Sequence, residues 1–127
     1  MASKTAKNYI ALGNLDAYKT AIKIGEKAWI IYVKMDWQTK KIMGDQWLGA
    51  IDSVGANIAE GYGRFHYLDK IKFYYNSRGS LFEAKHWSFL LLQRAKITKK
   101  EFDELIGLLE SQHRQLNNFI KATYPKK

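Results

Sequence analysis

Asn57-Ile58-Ala59-Glu60-Gly61-Tyr62-Gly63-Arg64 is the stretch on which the fold turns. An apolar-periodic run from Trp47 to Ala59 leads into it, and another begins near Tyr67 or Leu68. Two glycines flanking one residue, between two such runs, predict a tight helix–helix corner. Glycine enters the left-handed backbone region without a Cβ penalty, so Gly61 is expected to stop the first helix in that conformation. Glu60 lies in the last turn, where a carboxylate opposes the helix dipole. A partner for it is therefore expected close by.

Upstream of the corner, Gly44-Asp45 is expected to start this helix, with Asp45 as its cap, and Glu60 to end it. Trp47, Leu48, Ile51, Val54 and Ile58 form its apolar side, while Ala50, Gly55, Ala56 and Ala59 keep the other side small. Gly49 and Gly55 each cost about 1 kcal/mol against alanine, so close neighbours are expected at both. Gln38 to Met43 reads as a short basic connection. Before it, Leu15 to about Trp37 forms a first helix, with Asn14 or Asp16 capping or charging its start. That helix carries two apolar stripes: Leu15, Tyr18, Ile22, Trp29, Tyr32, and Ala17, Ala21, Ile24, Ala28, Ile31, Met35. One stripe is enough for a small bundle, so the pair predicts one face inside the protomer and one on a neighbour. The alternative is one wide core face in a monomer.

Downstream, Leu68 to about Ala95 reads as the longest helix, roughly 40 Å at 1.5 Å per residue. Gly79 in its middle again predicts a close neighbour. Thr98-Lys99-Lys100-Glu101 is a capping-box sequence that opens a fourth helix to about Thr123, with Pro125 just beyond. Four helices with short connections and negligible strand signal predict an all-α, up-down-up-down antiparallel four-helix bundle over residues 14–124. Residues 1–13, small, polar or basic, read as a loose leader.

Composition fits one domain: 127 residues, 46% hydrophobic and 26% charged, with no cysteine and a single proline. Disulfides and thiolate metal sites are excluded. No apolar run approaches 18 residues and no signal-peptide core is visible, so no membrane contact and a cytoplasmic location are expected. The formal charge is +9, with a net excess in residues 1–40 and 65–96 and a slight deficit in 41–64. Such a balance favours RNA, DNA or another polyanion.

Lys19, Lys23, Lys27 and Lys34 share one helical face and are the leading nucleic-acid-binding candidates, with solubility as the alternative role. Arg64, Lys70 and Lys72 join them, because they interleave with Tyr62, Phe65, Tyr67, Phe73, Tyr74 and Tyr75 in a pattern suited to stacking on single strands. At helical spacing such aromatics also build cores. Asn57, Glu60, Arg64, Arg78 and Glu83 are expected to form a structural polar cluster that fixes corner geometry or subunit register. A direct Glu60–Arg78 pair needs a neighbouring protomer, since Arg78 lies roughly 15 Å along its helix; Arg64 is nearer. Two carboxylates and arginines without a nucleophile, metal triad or phosphate loop do not suggest an enzyme. Gly61-x-Gly63 lacks the strand a dinucleotide site requires. His66, His86 and His113 lack ligand spacing, so neither metal nor cofactor is expected.

Gln46, the run Ala50 to Arg64, and Ser77-Arg78-Gly79-Ser80-Leu81 with Glu83 resemble the four-helix-bundle family encoded by intervening sequences in bacterial large-subunit ribosomal RNA genes. The likeness spans nearly the whole chain. That family is similar to the accessory variability determinant of diversity-generating retroelements. The resemblance implies a barrel-like homopentamer with a basic surface, a role in binding RNA or DNA, and no catalysis. One departure stands out: where the family often carries arginines after Gln46, this chain has Trp47-Leu48-Gly49. The reading is thus a non-catalytic nucleic-acid-binding or assembly module, a homo-oligomer. The alternative is an interaction scaffold docking a protein partner such as a reverse transcriptase, with the charge incidental.

Overall fold

The computed structural model describes residues 12–125, all helical or in short connections, with no strand among them. Four long helices make up the bundle: α1, Asp16–Val33; α2, Asp45–Tyr62; α3, Tyr67–Gln93; and α4, Lys99–Thr123. α1 and α3 each pack on both α2 and α4, which sets the cyclic order α1-α2-α3-α4. Neighbours run antiparallel. Ala21 meets Gly55 while Gly25, farther along α1, meets Asp52, earlier in α2. Trp47 bonds Ser88 and Val54 bonds Ser77. Arg78 bonds Asn117 while Lys85 pairs with Glu110. The expected leader falls mostly outside the described residues, but Leu12, assigned to it, packs against the core.

α1 separates its two stripes. Ala17, Ala21, Ile24, Ala28 and Ile31 are buried, whereas Ile22 and Trp29 are about half exposed. α1 ends four residues before the expected Trp37, because Asp36 adopts an extended conformation and caps a new helical turn. Its carboxylate accepts from Thr39 N at 2.8 Å. The expected connection from Gln38 to Met43 is helical instead: a turn, Trp37–Thr39, widens into a π-helical turn, Lys40–Gly44, that runs unbroken into α2. Asp36 therefore starts this segment, and Asp45 caps nothing; it accepts from Tyr32 Oη at 2.5 Å. Gly44 is buried, and a Cβ there would sit 3.0 Å from Met35 Sδ.

α2 continues through Tyr62, two residues beyond the expected Glu60, and none of its glycines has positive φ. Gly61 is helical, and its missing Cβ is needed for a different reason. A Cβ there would lie 2.6 Å from Tyr74 Cε1, 2.9 Å from Phe73 Cβ and 3.0 Å from the Lys70 carbonyl oxygen. α3 crosses the last turn of α2 at this point. Gly55 meets Ala21 in the same manner, at 3.2 Å, as expected. Gly49 and Gly79 do not, since among the described residues nothing beyond their own helical turns lies within 4 Å of either Cβ position.

The core is filled by Trp47, Tyr74, Ile24, Ile51, Ile58, Leu81, Leu91, Leu105, Leu109 and Leu116. Buried polar groups tie α2 to α3. Ser77 Oγ donates to the Val54 carbonyl at 2.8 Å. Trp47 Nε1 donates to Ser88 Oγ at 2.9 Å, and Ser88 donates on to Ala84 O at 2.7 Å. Such bonds satisfy groups that would otherwise cost about 1–3 kcal/mol each on burial. α3 closes with Ala95 at φ 58, where Lys96 N reaches Leu91 O at 2.8 Å. α4 opens on the expected capping box. Glu101 N donates to Thr98 Oγ1 at 3.0 Å and Thr98 N to Glu101 Oε1 at 2.8 Å.

Candidate nucleic-acid interface

The lysine face of α1 comes directly from the helical repeat. Lys19, Lys23 and Lys34 are exposed and make no ion pair among the described residues. Lys27 is half-buried and lies 3.8 Å from Glu104 on α4. Three of these four ammonium groups therefore keep their full charge toward solvent.

The corner cations behave differently. Arg64 pairs with Glu60 at 2.7 Å and stacks over Phe73 at 4.7 Å. Lys70 Nζ donates to the Tyr62 carbonyl at 2.8 Å and lies over the Tyr62 ring, and burial lowers its pKa. Both staple the start of α3 to the end of α2. Lys72 is exposed and without an ion pair among the described residues, so it is the free cation at this end of α3.

The interleaved aromatics divide between core and surface. Tyr74 is buried, tilted against Phe119, with its pKa pushed up to about 12 by burial first and by Tyr62 second. Phe73 lies under Arg64, whereas Phe65 is fully exposed. Tyr75 is exposed, with Arg78 stacked over it at 4.7 Å and Tyr124 Oη 3.3 Å away.

The expected polar cluster does not assemble within one chain. Asn57 Nδ2 donates to Ser53 O and Ser53 Oγ, and Ser80 Oγ donates to Ser53 Oγ at 3.0 Å. Among the described residues Glu60 is met by Arg64 alone. Arg78 donates to Asn117 Oδ1 at 3.1 Å. Glu83 accepts from Trp87 Nε1. The helical repeat turns Arg78 toward α4, while Asn57 bonds Ser53 one turn back on α2. The polar tie across the α2–α3 seam is instead a serine set, Ser53, Ser77, Ser80 and Ser88. Two of these serines flank the Arg78-Gly79 pair in sequence, which is the one local sign of the seam. Among the described residues no three His, Asp or Glu side chains converge. His66 caps α3 through Leu68 N, and His113 lies 3.0 Å from Lys85, its pKa lowered by burial and by Lys85.

A groove of about 440 Å³ runs between α1 and α2, lined by Tyr18, Ile22, Trp29, Leu48, Ala56 and Ala59 together with the carboxylates of Glu26 and Asp52; Asp52 Oδ1 reaches across to Gly25, 3.3 Å from its Cβ position. The small residues that bring α2 close to α1 also leave this groove open. Periodicity marks the exposed stripe of α1; it gives no sign of the carboxylates beside it.

The Asn57–Arg64 corner, the Ser77–Glu83 segment, the first three helices and most of α4 fall inside one family match, the 23S rRNA-intervening sequence proteins, over residues 13–118. The chain belongs to that family. A structure of a protein of unknown function from the S23 ribosomal protein family of Bacteroides thetaiotaomicron superposes with a TM-score of 0.77. It is 21% identical, and the match covers 83% of this chain and 98% of that one. At that identity the likeness establishes the shared bundle. No curated protein matches. Trp47 is fully buried and bonded to Ser88, so it serves the core. Among the described residues, no helix is long and apolar enough to cross a membrane.

Proposed function

We propose that the protein is a non-catalytic nucleic-acid-binding module that works as a homo-oligomer, a barrel-like pentamer by family resemblance. RNA or DNA phosphates would meet the α1 lysine face, with Lys72 as an outlying contact. The observation that carries this reading is the set Lys19, Lys23, Lys34 and Lys72, exposed and unpaired among the described residues of a chain with net charge +9. A free ammonium releases phosphate counterions on binding, whereas a paired one gives up part of that gain. Arg64, Lys70 and Lys27 are already committed within the chain and contribute less. The family's name associates it with 23S rRNA, which makes structured RNA the first ligand to test. Binding of this kind is electrostatic and weakly selective for sequence.

The test is fluorescence anisotropy with structured RNA, single-stranded DNA and duplex DNA across a salt series. Affinity is expected to fall steeply with salt. The triple variant Lys19→Gln, Lys23→Gln, Lys34→Gln should flatten the log–log slope for duplex by about 3. Absence of binding at low salt would sink the reading. The exposed apolar groove would then favour the second one, a scaffold for a protein partner such as a reverse transcriptase.

A further inference from the structure

The α1–α2 groove, apolar with two carboxylates, and the outer edge of α3, apolar with cations beside it, lie on opposite sides of the bundle. The groove is apolar and open, with Trp29 and Ile22 about half exposed at its wall. It runs from Tyr18 to Trp29, about 16 Å along α1. Its two carboxylates, Glu26 and Asp52, have no cation within ion-pair distance among the described residues, in a chain rich in cations. Burial alone raises the pKa of Asp52, so this carboxyl is partly desolvated and uncompensated.

On α3, Leu68, Tyr75, Phe82 and Phe89 are all substantially exposed. They recur every seven residues. Seven residues drift only about 20° around a straight helix, so the four form one ridge. Tyr75 touching Tyr124 and Phe82 set edge-on to His113 place that ridge on the α4 side of α3. Lys72 and Arg78, neither in an ion pair among the described residues, flank it, and Lys85, already paired with Glu110, lies beside Phe82. Gly79 sits beside Phe82 in the middle of a 27-residue helix, and beyond its own helical turn no atom of the described residues lies within 4 Å of its Cβ position. Glycine is disfavoured in a helix interior, and here no neighbour in the protomer accounts for it. Gly107 on α4 has similar open space, but no large exposed apolar side chain accompanies it within α4.

We propose that the α1–α2 groove of one copy seats the α3 ridge of the next, with Phe82 and Phe89 as anchors and Gly79 as the notch that allows close approach. This deepens the self-association in the proposed function and rests on it. The contact is an amphipathic helix laid into an apolar groove, read by anchors two turns apart. Because two different surfaces meet, it is heterologous, so it propagates head to tail and closes where the rotation between copies divides a full turn. Each added copy places another α1 lysine face beside a filled groove.

The experiment uses the full chain in size-exclusion chromatography with light scattering. Phe82→Glu breaks the ridge, and Ala56→Arg blocks the groove at an exposed wall position. Each variant alone should associate at least about tenfold more weakly than the wild type. Mixed in equal amounts they should form a two-protomer species, because one intact groove still meets one intact ridge. Circular dichroism checks that each variant is folded. Gly79→Leu is the second arm: it should raise the melting temperature of the protomer and yet lower the mass of the assembly. A monomeric wild type overturns the self-association reading and this inference together. An oligomeric wild type overturns the inference alone if Phe82→Glu or Gly79→Leu keeps its mass, or if two folded variants fail to pair on mixing.

Discussion

The bundle has two tight corners that solve the same problem in opposite ways. The α2–α3 corner, residues 62–67, comes after one glycine and contains another, yet no residue there has positive φ. The α3–α4 corner, residues 93–98, has no glycine, yet it holds the left-handed residue, Ala95 at φ 58. Gly63 reaches back to Ala59 O at 3.1 Å with an ordinary right-handed backbone. The difference shows that a glycine at a helix end has two possible causes. One is backbone conformation. The other is the absence of a side chain where another helix crosses, and at Gly61 the second cause decides. Tyr74 and the Lys70 carbonyl occupy the space a Cβ would need.

Three substitutions test that contrast. Gly61→Ala should cost about 3 kcal/mol, because one of the clashing atoms is backbone and cannot rotate away. The shift in urea midpoint at unchanged slope measures it. A loss below about 0.5 kcal/mol, within the usual range for surface substitutions, would mean that α3 crosses α2 less closely than those distances require. Ala95→Gly should act in the other direction. It removes the Cβ strain of a left-handed alanine and should stabilise by about 1 kcal/mol, read in thermal melts. Destabilisation there would show that Ala95 does not hold the left-handed conformation. Glu60→Gln should have the smallest effect, about 0.3 kcal/mol, since Glu60 and Arg64 form an exposed pair one turn apart. A loss above about 1 kcal/mol would show that Glu60 also meets a group from another copy.

Much of the architecture is legible in the chain itself. Four helices, their antiparallel order, the Thr98–Glu101 capping box and the buried stripe of α1 all come from local spacing. The segment after α1 is harder. Gln38 to Met43 is polar and basic, which reads as a loop, but the Asp36 cap and the buried Thr39 and Met43 hold it as a widened helical turn. The candidate site is legible as residue types on faces. Lys19, Lys23 and Lys34 share a face by arithmetic alone. Which cations remain free is not legible, because Lys27, Arg64 and Lys70 are drawn in by Glu104, Glu60 and the Tyr62 carbonyl. The five residues of the polar cluster, apart from the Glu60–Arg64 pair, turn away from one another within one chain for the same reason: sequence proximity of charges does not fix the direction in which each helix turns them.

By itself the sequence determined the helices, their ends at Thr98 and Pro125, the stripe that becomes core and the excess of positive charge. These depend on periodicity, capping chemistry and composition, which act over a few residues. The tertiary structure alone decided why Gly61 is a glycine, that Ala95 is the left-handed residue, and that α1 and α2 leave a groove that Glu26 and Asp52 help to line. These depend on how closely one helix approaches another, a distance set by the summed packing of the whole core.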